Sequence, residues 1–527
     1  MVVCAVLFLT FLDTTIVSVA LADVQATLHA GVQSLQWVVN GYALVFASLM
    51  LGMGTVGDRF GRKRTMLLGV GVFTLGSLLG ALAPNVQTVI AARAMMGVGA
   101  AASEPGTLSV IRHLYPEFGP RARALGAWAA ISGLALALGP VIGGVLVGLG
   151  GWRNVFWFNV VAGALILGAA LVTVPESADP QHARFDVAGF VLGPLALAAA
   201  IFAVIFGETA GYAAPAIVTL FVVSGVALTL FVLVERRSAA PMLDVTYFRR
   251  PSFSGAMVVA FAAYFGIFSI FFFTALYLQV VVGYSGYRVA ELFVPMALAM
   301  ILSSAIAGRW VARSGARVPM TIGCLGAGVG ILLTELVLTG QPDFTGLALA
   351  LTLAGFGFGV AVVPVTSVAL GVVPAEHSGM AASATSTSRE LGSVVGVAVL
   401  GAIVNGHLSA DLAARLTALG VPDAFQRIVI DAVETGQVPS GESGGAAQAQ
   451  QAFGPIVAKV IDAAYGAFHT GLNVALSVSG AMILASAVVA WLTVGRCTRR
   501  GTASPLSVGE PCDAKAIDGT GTAAVRG

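Results

Sequence analysis

An apolar run of about twenty residues recurs fourteen times along this chain of 527 residues, and that recurrence constrains the fold more than any other feature. About 20 such residues are what a helix needs to cross a ~30 Å hydrocarbon core. The runs cover 2–22, 35–56, 65–84, 86–111, 124–149, 155–174, 187–207, 214–234, 253–282, 289–311, 318–339, 345–373, 379–404 and 470–494. Charged residues make up only 10% of the chain, too few to coat a water-exposed surface, since soluble domains carry about 25%. The 65 glycines agree, because glycine is commoner in transmembrane helices and lets their backbones approach closely. The sequence therefore predicts an all-α polytopic membrane protein with fourteen transmembrane helices and the lipid bilayer as its solvent.

Where the basic residues fall sets an orientation, because basic connections stay cytoplasmic. The connection after the second run carries Arg59, Arg62, Lys63 and Arg64, and that after the fourth Arg112, Arg121 and Arg123. Arg236, Arg237, Arg249 and Arg250 follow the eighth run, and Arg313 and Arg317 the tenth. Connections after the first, third, seventh and eleventh have no Lys or Arg, so both termini are expected in the cytoplasm.

Several function classes find no support. None of Lys63, Lys459 and Lys515 follows a glycine, so the phosphate loop GxxxxGK[ST] is absent and pumping would draw on an ion gradient or a partner. Cys4, Cys324, Cys497 and Cys512 show no CxxC or Cys/His ligand spacing, so no metal, disulfide or cofactor is expected. Neither enzymatic activity nor nucleic-acid binding is indicated, and the chain is expected to be monomeric. The apolar start, without a basic lead or small-residue cleavage site, argues against a signal peptide.

An internal repeat divides the chain. Gly54-Thr-Val-Gly-Asp58-Arg59-Phe-Gly61-Arg62-Lys63 aligns with Gly308-Arg-Trp-Val-Ala312-Arg313-Ser-Gly315-Ala316-Arg317, each after the second helix of a six-helix block. The expected organisation is a six-helix half over 1–180, two inserted helices over 181–250, and a second six-helix half over 251–500. Its long connection, 405–469, would lie outside the cell as a surface cap or a partner-binding loop, and 501–527 would be a disordered cytoplasmic tail. Internal repeats are how many secondary transporters build a site at the membrane midplane.

Gly54 to Lys63 resembles the cytoplasmic signature of the major facilitator superfamily, G-x-x-x-D-R-x-G-R-[RK]. Leu12-Asp13-Thr-Thr15-Ile-Val-Ser18-Val-Ala20-Leu21 is similar to the first-helix motif LDxTIVNVALP of the fourteen-helix drug/proton antiporters, with Ser18 for Asn and Ala22 for Pro. Arg93-Ala-Met-Met96-Gly97-Val-Gly99 resembles RxxQGxG, with Met96 for Gln. Gly126 to Gly144 resembles the antiporter motif G-x8-G-x3-G-P-x2-G-G, with Ala135 in place of one glycine. Gly151-Trp152-Arg153, Phe156, Asn159, Tyr277-Leu-Gln279 and Ser388-Arg389-Glu390-Leu-Gly392 extend the likeness over most of the chain. The resemblance implies the major facilitator fold and proton-driven efflux of small amphipathic cargo, cationic or not, across a bacterial plasma membrane. Uptake by symport and a transporter-like protein without flux stay open beside it.

A charge at the bilayer centre costs about 2.5–3.5 kcal/mol on insertion scales, so it should face a cavity or a partner. Asp13 and Arg93 each lie about nine residues from the outer end of their run, ~14 Å deep at 1.5 Å per residue, which lets them meet. Asp13 is expected either to alternate between a proton and Arg93, coupling proton to cargo, or to be half of a static ion pair. Glu104 shares a helix face with Arg93, ~16 Å further along. It would be a second proton or cation-selecting site, or else cap a kink at Pro105 or pair with a base near the cytoplasmic end. Asp58, read as a loop residue, is implied by the family likeness to latch onto the start of helix 13 near Ser378, within a gate motif of Gly54, Asp58, Arg59, Gly61, Arg62 and Lys63; alternatively Arg59 to Arg64 serve only to keep the loop inside. Gly139, Pro140, Gly143 and Gly144 would act mechanically, as a bent close contact or as ordinary small-residue packing. Arg389 and Glu390 are read as a gate pair or a packing pair.

Overall fold

The computed structural model describes residues 2–30, 32–176, 186–238, 241–284, 286–374, 377–418, 426 and 455–495. Among these lie fourteen helices of 20 residues or more, one for each predicted run. They are α1 (Val2–Leu28), α2 (Val32–Phe60), α3 (Arg62–Ala81), α4 (Val86–Leu114), α5 (Phe118–Gly150), α6 (Arg153–Thr173) and α7 (Val187–Ala210). The remainder are α8 (Pro215–Arg237), α9 (Pro251–Val280), α10 (Gly286–Ser314), α11 (Arg317–Val337), α12 (Phe344–Val372), α13 (Ser378–Ala418) and α14 (Pro455–Thr493). Twelve qualify as membrane spans by length and composition, the exceptions being α4 and α5. In α4 the polarity has a structural reason: Arg93, Glu104 and Arg112 are buried in protein.

Helices α1 to α6 pack among themselves, as do α9 to α14. The two groups meet chiefly through α2 against α13 and α5 against α10, so the second helix of each block faces the fifth helix of the other. Glycine makes both approaches close. A Cβ on Gly54 would sit 2.8 Å from the Gly379 carbonyl carbon, and one on Gly308 would sit 2.6 Å from the Ala122 carbonyl oxygen. The sequence repeat reappears as geometry at Gly61 (φ 107°) and Gly315 (φ 81°), the residues that break α2 from α3 and α10 from α11. Such left-handed conformations are open to glycine at little steric cost.

The inserted pair is layered. α7 packs on α2 and α13, whereas α8 rests mainly on α7 and leaves Val222, Val226, Leu228 and Leu230 exposed. Apolar along its length and little covered by protein, α8 presents the most lipid-compatible surface of the twelve.

α13 and α14 run to 41 and 39 residues, about 60 Å at 1.5 Å per residue and twice what a bilayer core requires. The ends of the expected connection 405–469 are thus helical. Beyond the apolar run, a stripe of Leu408, Leu412 and Leu416 recurs every fourth residue and closes on Ala463, Ala464 and Ala467. Its middle, 419–425 and 427–454, and the tail 501–527 lie outside the described residues.

Candidate functional site

The deepest charges form one constellation in the first half. Asp13 on α1 and Arg93 on α4 are 0% and 1% exposed, and Arg93 Nη1 donates to Asp13 Oδ2. Asn159 Nδ2 on α6 donates to Asp13 Oδ1 at 2.7 Å, so each carboxylate oxygen has its own donor. Arg93 Nε donates to the Val38 carbonyl of α2 at 3.0 Å, and its guanidinium lies 4.3 Å from the Tyr42 ring centroid. Tyr42 in turn donates from its hydroxyl to the Thr10 carbonyl on α1. Four helices therefore converge on one neutral ion pair. Removing one partner of such a buried pair costs about 3–5 kcal/mol, since the other charge is stranded.

Glu104 stands apart from that constellation, as its spacing along α4 requires. It faces the second half, where Ser386 Oγ on α13 donates to its Oε1 at 3.1 Å, and no described group donates to its Oε2. Arg389 and Glu390 lie within electrostatic range of it. Among the described residues Arg389 and Glu390 form no ion pair with each other. Arg389 instead donates from Nη2 to Thr366 Oγ1 on α12 and lies 5.1 Å from the Trp128 ring and 5.6 Å from the Tyr264 ring. Tyr264 also borders a crevice between the halves, lined by Ala129, Ser132, Met300, Ser304 and Phe358 from α5, α10 and α12.

At the end bearing the basic connections, Asp58 occupies the last turn of α2 rather than a loop, because the helix runs on until Gly61 breaks it. Arg62 Nε donates to Asp58 Oδ1 at 2.8 Å within the same half. Across the interface, the Met380 amide in the first turn of α13 donates to Asp58 Oδ2 at 3.2 Å. Arg112 and Arg250 donate to the Val373 and Val372 carbonyls where α12 ends, at 2.6 and 3.0 Å. An anion at a helix start and cations at a helix end both complement the helix dipole. Lys63 turns within its own half, its Nζ donating to the Leu171 carbonyl at 2.7 Å, and Arg59 stacks on Phe60 at 5.2 Å. In the second copy of the repeat Ala312 stands where Asp58 would, 4.0 Å from the position of a Cβ on Gly119.

Of the glycine motif on α5, two members touch α1. A Cβ on Gly139 would lie 3.1 Å from the Ile16 amide nitrogen, and one on Gly143 2.9 Å from the Ile16 carbonyl oxygen. Gly144 has nothing within 4 Å, and the Pro140 ring lies outside the described residues. The motif therefore brings α5 against the turn of α1 that follows Asp13.

Four participants escaped sequence reasoning in these roles: Asn159 as the second donor to Asp13, Ser386 as the donor to Glu104, and Trp128 and Thr366 around Arg389. Asn159 carried a signal, since it belongs to a stretch that resembles the family. Trp128 and Thr366 carried none.

Two packed helical groups, a helix pair outside them and charges buried where the helices cross define an all-helical, multi-pass membrane protein of two-fold repeated build. The Major Facilitator Superfamily matches residues 3–397, and the chain belongs to that family. It is similar to Multidrug resistance protein Stp of Mycobacterium tuberculosis, 36% identical over 424 residues that cover 80% of this chain and 78% of that protein. Drug efflux pump JefA of the same species is 31% identical over 498 residues, 92% of this chain and 95% of that one. Among solved structures, the human organic anion transporter MFSD10 superposes with a TM-score of 0.59 at 13% identity, covering 93% of this chain and 96% of that one. That likeness is one of fold.

Proposed function

We propose that this protein exports amphipathic drugs, antibiotics or toxic metabolites from a bacterial cell in exchange for protons, by rocking of residues 1–180 against 251–500 around a central site. The observation that carries the reading is the fully buried Asp13–Arg93 pair, a proton-exchangeable charge set among four helices of an efflux-type chain. The drug-resistance and drug-efflux names of relatives spanning four fifths or more of the chain support the direction of transport.

In this scheme a proton and Arg93 compete for the Asp13 carboxylate. Protonation releases Arg93 and loosens α1 from α4, and re-pairing expels the proton to the other side. Asp58 against the start of α13, together with Arg112 at the end of α12, forms the cytoplasmic latch. Gly139 and Gly143 let α5 slide tightly on α1 without leak. The basic connections lie in the cytoplasm with both termini, 181–250 form the inserted pair, and one chain is the working unit because both halves of the site lie within it.

One charge crossing 100 mV supplies ~2.3 kcal/mol, roughly a 40-fold gradient. Exchange of one proton for a neutral cargo uses that in full, while exchange for a monocation moves no net charge. The test is accumulation of a fluorescent dye and of antibiotics in a pump-deficient host. Expression should lower accumulation, and an uncoupler should restore it. Accumulation unchanged by expression at confirmed surface levels would refute export.

A further inference from the structure

We propose that Arg389 anchors the cargo by a hydrogen-bond-accepting headgroup, a carboxylate or related oxyanion on an aromatic body, seated between Trp128 and Tyr264 where the two halves meet. The proposal rests on the export reading for its physiological meaning, but it concerns binding and is tested as binding.

Arg389 is 2% exposed and has one hydrogen bond, to Thr366; its Nε and Nη1 find no acceptor among the described residues. Unmet donors of a buried charge are costly. A carboxyl group in that position can become neutral by taking a proton, but a guanidinium keeps its charge at any physiological pH. The positive charge is therefore the permanent element of this cluster, and those of Glu104 and Glu390 are conditional. Neither carboxylate lies within ion-pair distance of Arg389, so neither occupies the open donors.

The surroundings suit an aromatic acid. Trp128 comes from α5 of the first half and Tyr264 from α9 of the second, and the guanidinium lies near both rings. Trp128 is held in place by its own Nε1, which donates to Thr107 Oγ1 at 3.0 Å, so its ring is a fixed wall. Beyond Tyr264 lies a mostly apolar crevice, with Ala129, Met300 and Phe358, that has room for little more than a water molecule in this arrangement, so the body of an amphiphile would enter only as the halves part. Because the walls come from different halves, the seat changes shape as they rock.

The test uses the full chain in nanodiscs and equilibrium dialysis of two probes of matched shape, 1-naphthylacetate and 1-naphthylmethyl-trimethylammonium. Wild type should bind the carboxylate more tightly than the ammonium. Arg389→Gln should weaken the carboxylate by about tenfold or more, the loss of one charge-assisted hydrogen bond, and leave ammonium binding equal or stronger. Thr366→Val, which keeps the charge and the side-chain volume, gives a second reading if Arg389→Gln fails to fold: carboxylate affinity should stay equal or rise. Four results overturn the proposal: preference of wild type for the ammonium, which Glu104 and Glu390 would produce; no carboxylate binding by wild type; undiminished carboxylate binding by Arg389→Gln; or a tenfold loss in Thr366→Val. Binding without cellular export would sink only the export reading, and export without carboxylate binding only this one.

Discussion

Replacing Asp58 by Asn should loosen the latch between α2 and α13 by an amount that the geometry bounds. Arg62 holds the Asp58 carboxylate within its own half, and across the interface it meets the first turn of a 41-residue helix, through the Met380 amide on Oδ2 at 3.2 Å and the neighbouring Gly379 amide. A hydrogen bond to a charged group contributes about 1.5–3 kcal/mol, and the helix dipole up to ~2 kcal/mol in a partly buried setting. Because these overlap, about 2–3 kcal/mol is a fair total. Asn keeps a neutral acceptor of about 1 kcal/mol, so the closed state loses about 1–2 kcal/mol, a factor of roughly 5–30 in population. Ser378, buried at 0% exposure where α13 begins, reports that population once changed to Cys in a background without the native cysteines. Maleimide labelling in membranes should accelerate about 5–30-fold in Asp58→Asn. Lys63→Gln alters the same connection but breaks a contact internal to the first half, and should leave the rate unchanged. Equal labelling of Asp58→Asn and its parent, or equal acceleration by Lys63→Gln, would refute the latch and leave the motif as a topology signal.

Gly143→Ala should lower the thermal unfolding temperature in detergent, by an overpacking cost of about 1–3 kcal/mol against the Ile16 carbonyl, while Gly144→Ala, with open space around it, should not; matching curves would refute the distinction. Gly61→Ala should cost about 1–3 kcal/mol from its φ of 107°, the Glu176 carboxylate nearby being able to swing aside, measured by the same unfolding curve. Asn159→Ala should strand Asp13 Oδ1, lowering stability by about 1–3 kcal/mol and impairing proton-driven efflux more than downhill exchange. Leu412→Ala, at a side chain that is 0% exposed, should speed amide exchange in 459–470 with the α2–α13 contact undisturbed, because that cluster is separate from the main core.

The helices were legible because a bilayer demands an uninterrupted apolar run. Their ends were not, because hydropathy reports the membrane and not the helix. α13 continues to Ala418 on a leucine stripe that packs against α14 beyond the apolar run, and α2 includes Asp58 because the break lies at Gly61, whose backbone angle is a property of the folded chain. Asp13 and Arg93 were readable as partners since they are opposite charges at matching depth in their runs. Thr366 and Ser386 were not, because uncharged polar side chains are common in these helices and only the packing of α12 and α13 singles them out, while Asn159 was marked by the family likeness but not as a donor to Asp13. Arg389 was visible as a charge in an apolar run, but its neighbours are rings from two distant helices, and its adjacent Glu390 suggested a pairing that the helix geometry does not form.

Whether a proton and Arg93 truly share Asp13 is measured most directly in proteoliposomes carrying an imposed pH gradient. A dye established as a substrate in cells is loaded on both sides, and its movement is followed with the gradient present and then collapsed. Wild type should concentrate the dye against its own gradient while the pH gradient lasts. Asp13→Asn should still exchange dye downhill but concentrate none, since its amide cannot take up and release the proton. Full gradient-driven accumulation by Asp13→Asn would contradict the account.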